Sequence, residues 1–136
     1  MTTETRDELT ERVIGLAMKV HRALGPGFVE FVYRNALIHE LRKAAIAVEA
    51  EKPLKVHYEN VIVGEFNADL VVANWLICEL KAVSTLIIDH EIQLINYLSA
   101  VNHEFGLLIN FGAKSLQVKR KYKRRISDNE PPDLHT

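Results

Sequence analysis

Asp69, Glu79 and Lys81 have the residue types and spacing for metal-assisted hydrolysis. They lie in the stretch E-F-N-A-D-L-V-V-A-N-W-L-I-C-E-L-K-A, from Glu65 to Ala82. This stretch is apolar and β-branched with turn chemistry at Ala73-Asn74-Trp75, so it predicts two strands folded back on each other. A pivot at Asn74 sets Val72 against Leu76, Leu70 against Cys78, Asp69 against Glu79 and Asn67 against Lys81. Alternation then brings Asp69, Glu79 and Lys81 out on one face, with Ala68, Leu70, Cys78 and Leu80 on the other. Like charges directly opposite one another destabilise a sheet pair. A hard divalent ion such as Mg²⁺, which favours oxygen ligands, would relieve that repulsion. Lys81 could then orient a water or stabilise charge developing on a phosphorane. A solvated salt-bridge cluster uses the same residue types. However, Val71, Val72, Leu76, Ile77 and Leu80 imply a central strand with little solvated surface, where unpaired charge is costly. A third reading is a buried triad in which Lys81 bridges the two acids; such triads can be close to neutral in stability.

The elements that must position these residues follow from periodicity and punctuation. Thr5-Arg6-Asp7-Glu8 fits a capping box. Leu9, Val13, Leu16, Ala17, Val20 and Leu24 then recur at helical spacing up to a stop at Gly25-Pro26-Gly27. His21 falls in the last turn, where a helix C-terminus favours it. A second helix runs from about Phe28 to about Ala45. Glu30, Tyr33, Leu37 and Leu41 share one of its faces, which aims the Glu30 carboxylate inward. Val48 to Tyr58 reads as one or two strands broken near Pro53. Glu59-Asn60 turns into Val61-Ile62-Val63, and Gly64 marks a bulge before the hairpin. A helix from about Asp89 to Glu104 carries Leu94, Leu98 and Val101 on one side, with Gln93 and Tyr97 at the edge of that stripe. Gly106 to Phe111 reads as a buried strand delivered by a crossover helix, and Ser115 to Ile126 as a last strand. The order α-α-β-β-β-β-α-β-β gives an α/β sandwich with a mixed sheet, one domain over 5–126, with 127–136 as a disordered tail.

Composition sets the outer bounds. The chain has 136 residues, 48% hydrophobic and 26% charged, enough for one soluble domain with a core. The single cysteine, Cys78, excludes a disulfide framework or a Cys₄ metal site within one chain. No apolar run reaches membrane-spanning length, and the acidic, polar N-terminus is unlike a signal peptide, so a cytoplasmic location is expected. Net charge hides an asymmetry. Residues 1–118 carry 11 Lys and Arg against 15 Asp and Glu, whereas 119–136 carry 6 against 3. The excess is Lys119, Arg120, Lys121, Lys123, Arg124 and Arg125, with Tyr122 among them. These residues read equally as a charged edge strand or as a nucleic-acid-binding segment that neutralises phosphates, with Tyr122 free to stack on a base. Homo-oligomerisation is left open.

Asp69, Glu79-Leu80-Lys81 and the later Gln93-Leu94-Ile95-Asn96-Tyr97 together resemble the PD-(D/E)xK nuclease superfamily. Gly27-Phe28-Val29-Glu30-Phe31-Val32-Tyr33, preceded by His21-Arg22-Ala23-Leu24-Gly25-Pro26, resembles the signature of its GxxExxY family, and Gly106 to Gly112 resembles that family's late strand. The likeness spans about Leu9 to Ile126, with Ala68 in place of the superfamily's proline. It implies a restriction-endonuclease-like fold and a Mg²⁺- or Mn²⁺-dependent nuclease acting on nucleic acid, with DNA expected. Asp69, Glu79 and Glu30 would bind metal, and Lys81 would position the attacking water. Gln93 would assist as in a Q-x3-Y helix motif, with Tyr33 and Tyr97 in support. The alternative is a non-catalytic nucleic-acid-binding or protein-interaction module on the same scaffold, since fold does not fix function.

Overall fold

The computed structural model describes residues 4–124. Helix α1 spans Arg6–Leu24. The Glu8 N–H donates to Thr5 Oγ1 at 3.0 Å to start it, and Gly25, at φ 69°, ends it by donating its N–H to His21 O. Helix α2 (Glu30–Lys43) follows, then strands β1 (Val48–Tyr58), β2 (Val61–Val72) and β3 (Leu76–Lys81). Helix α3 (Ile88–Val101) crosses over to β4 (Phe105–Asn110), and β5 (Gln117–Tyr122) closes the order.

The sheet runs β1-β2-β3-β4-β5, with β3 central. The β3–β4 pair is parallel and the rest are antiparallel, the mixed sheet expected from a single helical crossover. Helices α1 and α2 cover one face. There Val13, Ala17, Leu37 and Leu41 pack with Leu70, Cys78, Leu80, Leu107 and Ile109. Helix α3 covers the other face, where Leu94 and Leu98 pack on Ala68, Val71, Ile77 and Leu108. Gly106 allows that contact: a Cβ there would lie 2.7 Å from Ile77 O and 3.2 Å from Leu98 Cδ2. Both faces of β3 are therefore buried, as its unbroken apolar run implies.

Two local expectations are corrected. Among the described residues the sheet has five strands, not six, because Val61–Val63 and the first arm of the hairpin are one continuous strand. Gly64 pairs with Val56 inside it, and the register slip beside that pair leaves Val63 as the bulged residue. Pro53 does not break β1, because an edge strand has no second neighbour to need the missing N–H. Second, Ala68 packs on the α3 side rather than with Leu70. The β1–β2 pairing steps from Ala50↔Leu70 to Lys52↔Ala68 past Glu51, whose φ is 51°. Strict alternation therefore fails at Asp69. Arg125, Ile126 and the tail expected at 127–136 lie outside the described residues. Among the described residues, no helix is long and apolar enough to cross a membrane.

Candidate functional site

The hairpin keeps the expected register: Val72↔Leu76, Val71↔Ile77 and Leu70↔Cys78. Beyond Leu70 the ladder gives way to side chains. The Leu80 N–H donates to Asp69 Oδ2 at 2.8 Å, and the Asp69 N–H donates to Glu79 Oε1 at 3.4 Å. Each carboxylate thus takes the place of a backbone partner, and the two acids are held side by side. Glu79 is only 6% exposed. Burial, and after it the Asp69 charge, pushes its pKa up to about 8, against the opposing pull of the Asp69 N–H and of Lys81. Behind the pair, burial and then the two acids push the Cys78 thiol up, so it is inert as a nucleophile.

Lys81 ends β3, half-buried. It forms no salt bridge among the described residues, so the bridged triad is not the arrangement present. Two hard oxygen donors, held by backbone N–H groups and short of cationic compensation, suit a Mg²⁺-type ion, which takes one or two carboxylates and keeps several waters. No three His, Cys, Asp or Glu side chains among the described residues are grouped to hold a metal. Glu30 therefore stands near the pair without completing a cluster.

The placement of Glu30 rests on one hydroxyl. Tyr33, fully buried, donates to Gly25 O at 2.5 Å and accepts from the Phe28 N–H at 3.1 Å. Its ring stacks on Phe111 at 4.9 Å between centroids. Gly27 turns the intervening loop at φ 115°, a conformation that disfavours any Cβ. The loop enters α2 at Glu30, half-buried, whose pKa is raised first by burial and then by Asp69, while Lys81 and Arg34 lower it. Arg34, one turn on, pairs with Glu51 at 2.8 Å, which ties the helix to the irregular point of β1.

Helix α3 brings Tyr97 from the other side. Burial, then Glu79 and Asp69, raise its pKa, and a hydrogen bond from Gln93 lowers it, so Tyr97 feels the acids and Gln93 reaches them only through Tyr97. Gln93 is exposed and Tyr97 half-buried, its ring stacked on Phe66 at 3.7 Å and 11°.

Asn110 was not foreseen. Fully buried, it accepts from the Val83 and Gly112 N–H groups at 2.9 and 3.0 Å, and donates to Val83 O and Gln117 Oε1 at 2.9 and 2.8 Å. Its only signal in the sequence is an amide inside an apolar strand. His21 Nε2 similarly ties the end of α1 to Ala113 O at 2.9 Å.

The basic segment lies two strands from β3, and its cations are engaged. Lys121 and Lys119 meet Glu91 at 2.9 and 3.7 Å. Arg120 meets Asp7 at 3.3 Å and lies over the Phe105 ring. Lys123 donates to Asn102 Oδ1 at 2.5 Å, and Arg124 bonds to Asn96. Tyr122 is 54% exposed and leans on Phe105. Arg125 lies outside the described residues.

Residues 7–124 match the family model of the PD-(D/E)XK nuclease superfamily. No curated protein and no solved structure gives a significant match.

Proposed function

Since the chain belongs to the PD-(D/E)XK nuclease superfamily, we propose that it is a metal-dependent phosphodiesterase acting on DNA, with Asp69 and Glu79 as the metal ligands. The observation that carries this reading is the pair itself. Two carboxylates are fixed by the Leu80 and Asp69 N–H groups and forced together at the cost of a strongly raised Glu79 pKa, and Lys81 forms no salt bridge with either. A bound Mg²⁺ or Mn²⁺ would supply polarisation of the scissile phosphate and a lowered pKa for a coordinated water.

The chain's own residues do the rest. Lys81 holds the attacking water or offsets charge on the phosphorane. Glu30, near the pair, orients a water beside them. Gln93 fixes Lys81 or a phosphate oxygen, and Tyr97 packs behind it. Water adds to phosphorus, the P–O bond to the leaving nucleotide breaks, and its oxygen takes up a proton. Gly27, Glu30 and Tyr33 support placing the chain in the GxxExxY group, because these three residues set the entry to α2. Lys119 to Arg124 would assist only by exchanging protein acceptors, chiefly Glu91 and Asp7, for phosphate.

The test is cleavage of single- and double-stranded DNA with Mg²⁺ or Mn²⁺. EDTA should abolish it, and Lys81→Ala should lose it while melting cooperatively. Survival of every DNA substrate with both metals would overturn the reading in favour of a non-catalytic binding module.

A further inference from the structure

A groove of about 570 Å³ runs between α3 and the arm formed by β1 and β2, and no role described so far uses it. Phe66 and Tyr97, stacked on each other, line it together with Val56, Val63 and Ala100. Asn96 supplies donors. Arg124 Nη1 donates to Asn96 Oδ1, and a guanidinium has no acceptor, so this contact fixes which way the amide points. The Asn96 NH₂ is left as a pair of donors. Glu65 is the one carboxylate among the described lining residues.

The groove borders the candidate site through one residue. Tyr97 belongs to both, and Phe66 precedes Asp69 by three residues in β2, about 10 Å along a strand. Its volume falls within the range that holds a small ligand, about 300–1,000 Å³, and a base still stacked in a double helix cannot enter it. An aromatic and apolar lining suits a base, and fixed donors suit its carbonyl and ring-nitrogen acceptors.

We propose that this groove is a nucleobase subsite, which takes an unpaired, carbonyl-bearing base of the substrate strand next to the scissile phosphate. The inference rests on the nuclease reading above and adds the substrate class, a strand that is single at this point.

The test uses the full chain carrying Lys81→Ala in Mg²⁺, so that strands bind without being cut. Probes are a labelled DNA strand of about a dozen nucleotides, its abasic counterpart and the matching duplex, read by fluorescence anisotropy. The base-bearing strand should bind about tenfold tighter than the abasic one. Adding Asn96→Leu, or Ala100→Trp to fill the groove, should erase most of that difference and leave abasic binding unchanged. Should Ala100→Trp melt early, Asn96→Leu decides. Base discrimination that survives both changes overturns the subsite, as does equal loss of duplex binding. A wild type that is dimeric where Ala100→Trp is monomeric also overturns it, and makes the groove an interface between copies. If wild-type protein cuts DNA while these arms fail, only the subsite falls. If it neither binds nor cuts, both readings fall.

Discussion

Lys81 and Asn110 stand opposite one another in the parallel pairing of β3 and β4, and the Asn110 amide grips the chain two residues past the lysine, at both the N–H and the C=O of Val83. The Lys81 carbonyl in turn accepts from the Phe111 N–H at 2.8 Å. The end of β3, where the lysine leaves the sheet, is thus fixed by one buried side chain.

Asn110→Ala should therefore be among the costly substitutions. It strips partners from Val83 and Gly112, and a buried group left unpaired costs about 1–3 kcal/mol. We expect a loss of roughly 3 kcal/mol in urea unfolding. Cleavage should fall even at temperatures where the variant is folded. A loss below about 0.5 kcal/mol would show that the network does not hold this junction.

Tyr33→Phe keeps the stack on Phe111 and deletes two hydrogen bonds to the Gly25–Phe28 loop. Stability should drop by about 1–3 kcal/mol. Metal-dependent cleavage should fall further than unfolding explains, because the loop sets Glu30. Activity that tracks only the folded fraction would remove Glu30 from the site.

The Glu79 carboxyl gives a pH signature in EDTA. Its folded pKa, about 8, lies above its ordinary value of 4.5. The folded state therefore holds the extra proton, and this contribution is full below pH 4.5 and is lost as pH rises through about 8. Wild-type melting temperature should decline across that window more steeply than that of Glu79→Gln. Parallel profiles would show that Glu79 is ionised in the metal-free fold.

Metal should reverse that decline. An ion that binds only the folded state adds about 2.7 kcal/mol at a hundredfold excess over its dissociation constant. Millimolar Mn²⁺ should raise the melting temperature of the wild type. Asp69→Asn should be at least as stable as wild type in EDTA, because it relieves repulsion, and should lose most of the rise. A strongly destabilised Asp69→Asn, with no response of the wild type to Mn²⁺, would make the pair a structural cluster.

The sequence revealed the hairpin register because the turn is local. Ala73 and Asn74 both take positive φ, and the Trp75 N–H closes on Val72 O at 3.1 Å. Tyr33, Leu37 and Leu41 were legible as one buried face because helical periodicity is also local. The side taken by Ala68 was not legible, since it depends on a backbone irregularity at Glu51 that no alternation pattern encodes. Asn110 reads as an oddity until Val83, 27 residues away, is brought beside it. The engagement of the basic strand by Glu91 and Asp7 is likewise a product of distant segments meeting.

The hydroxyl of Tyr33 also imposes an angular constraint. The ring is anchored against Phe111 and the loop is pinned to its oxygen, so the start of α2 has a fixed rotational phase. Each α-helical residue advances that phase by about 100°. One residue inserted between Glu30 and Tyr33 would swing the carboxylate roughly a quarter-turn away from Asp69 while leaving both side chains intact. The three-residue step from Glu30 to Tyr33 therefore acts as a gauge, and the first turn of α2 should tolerate changes of residue type at Phe31 and Val32 far better than any change of length.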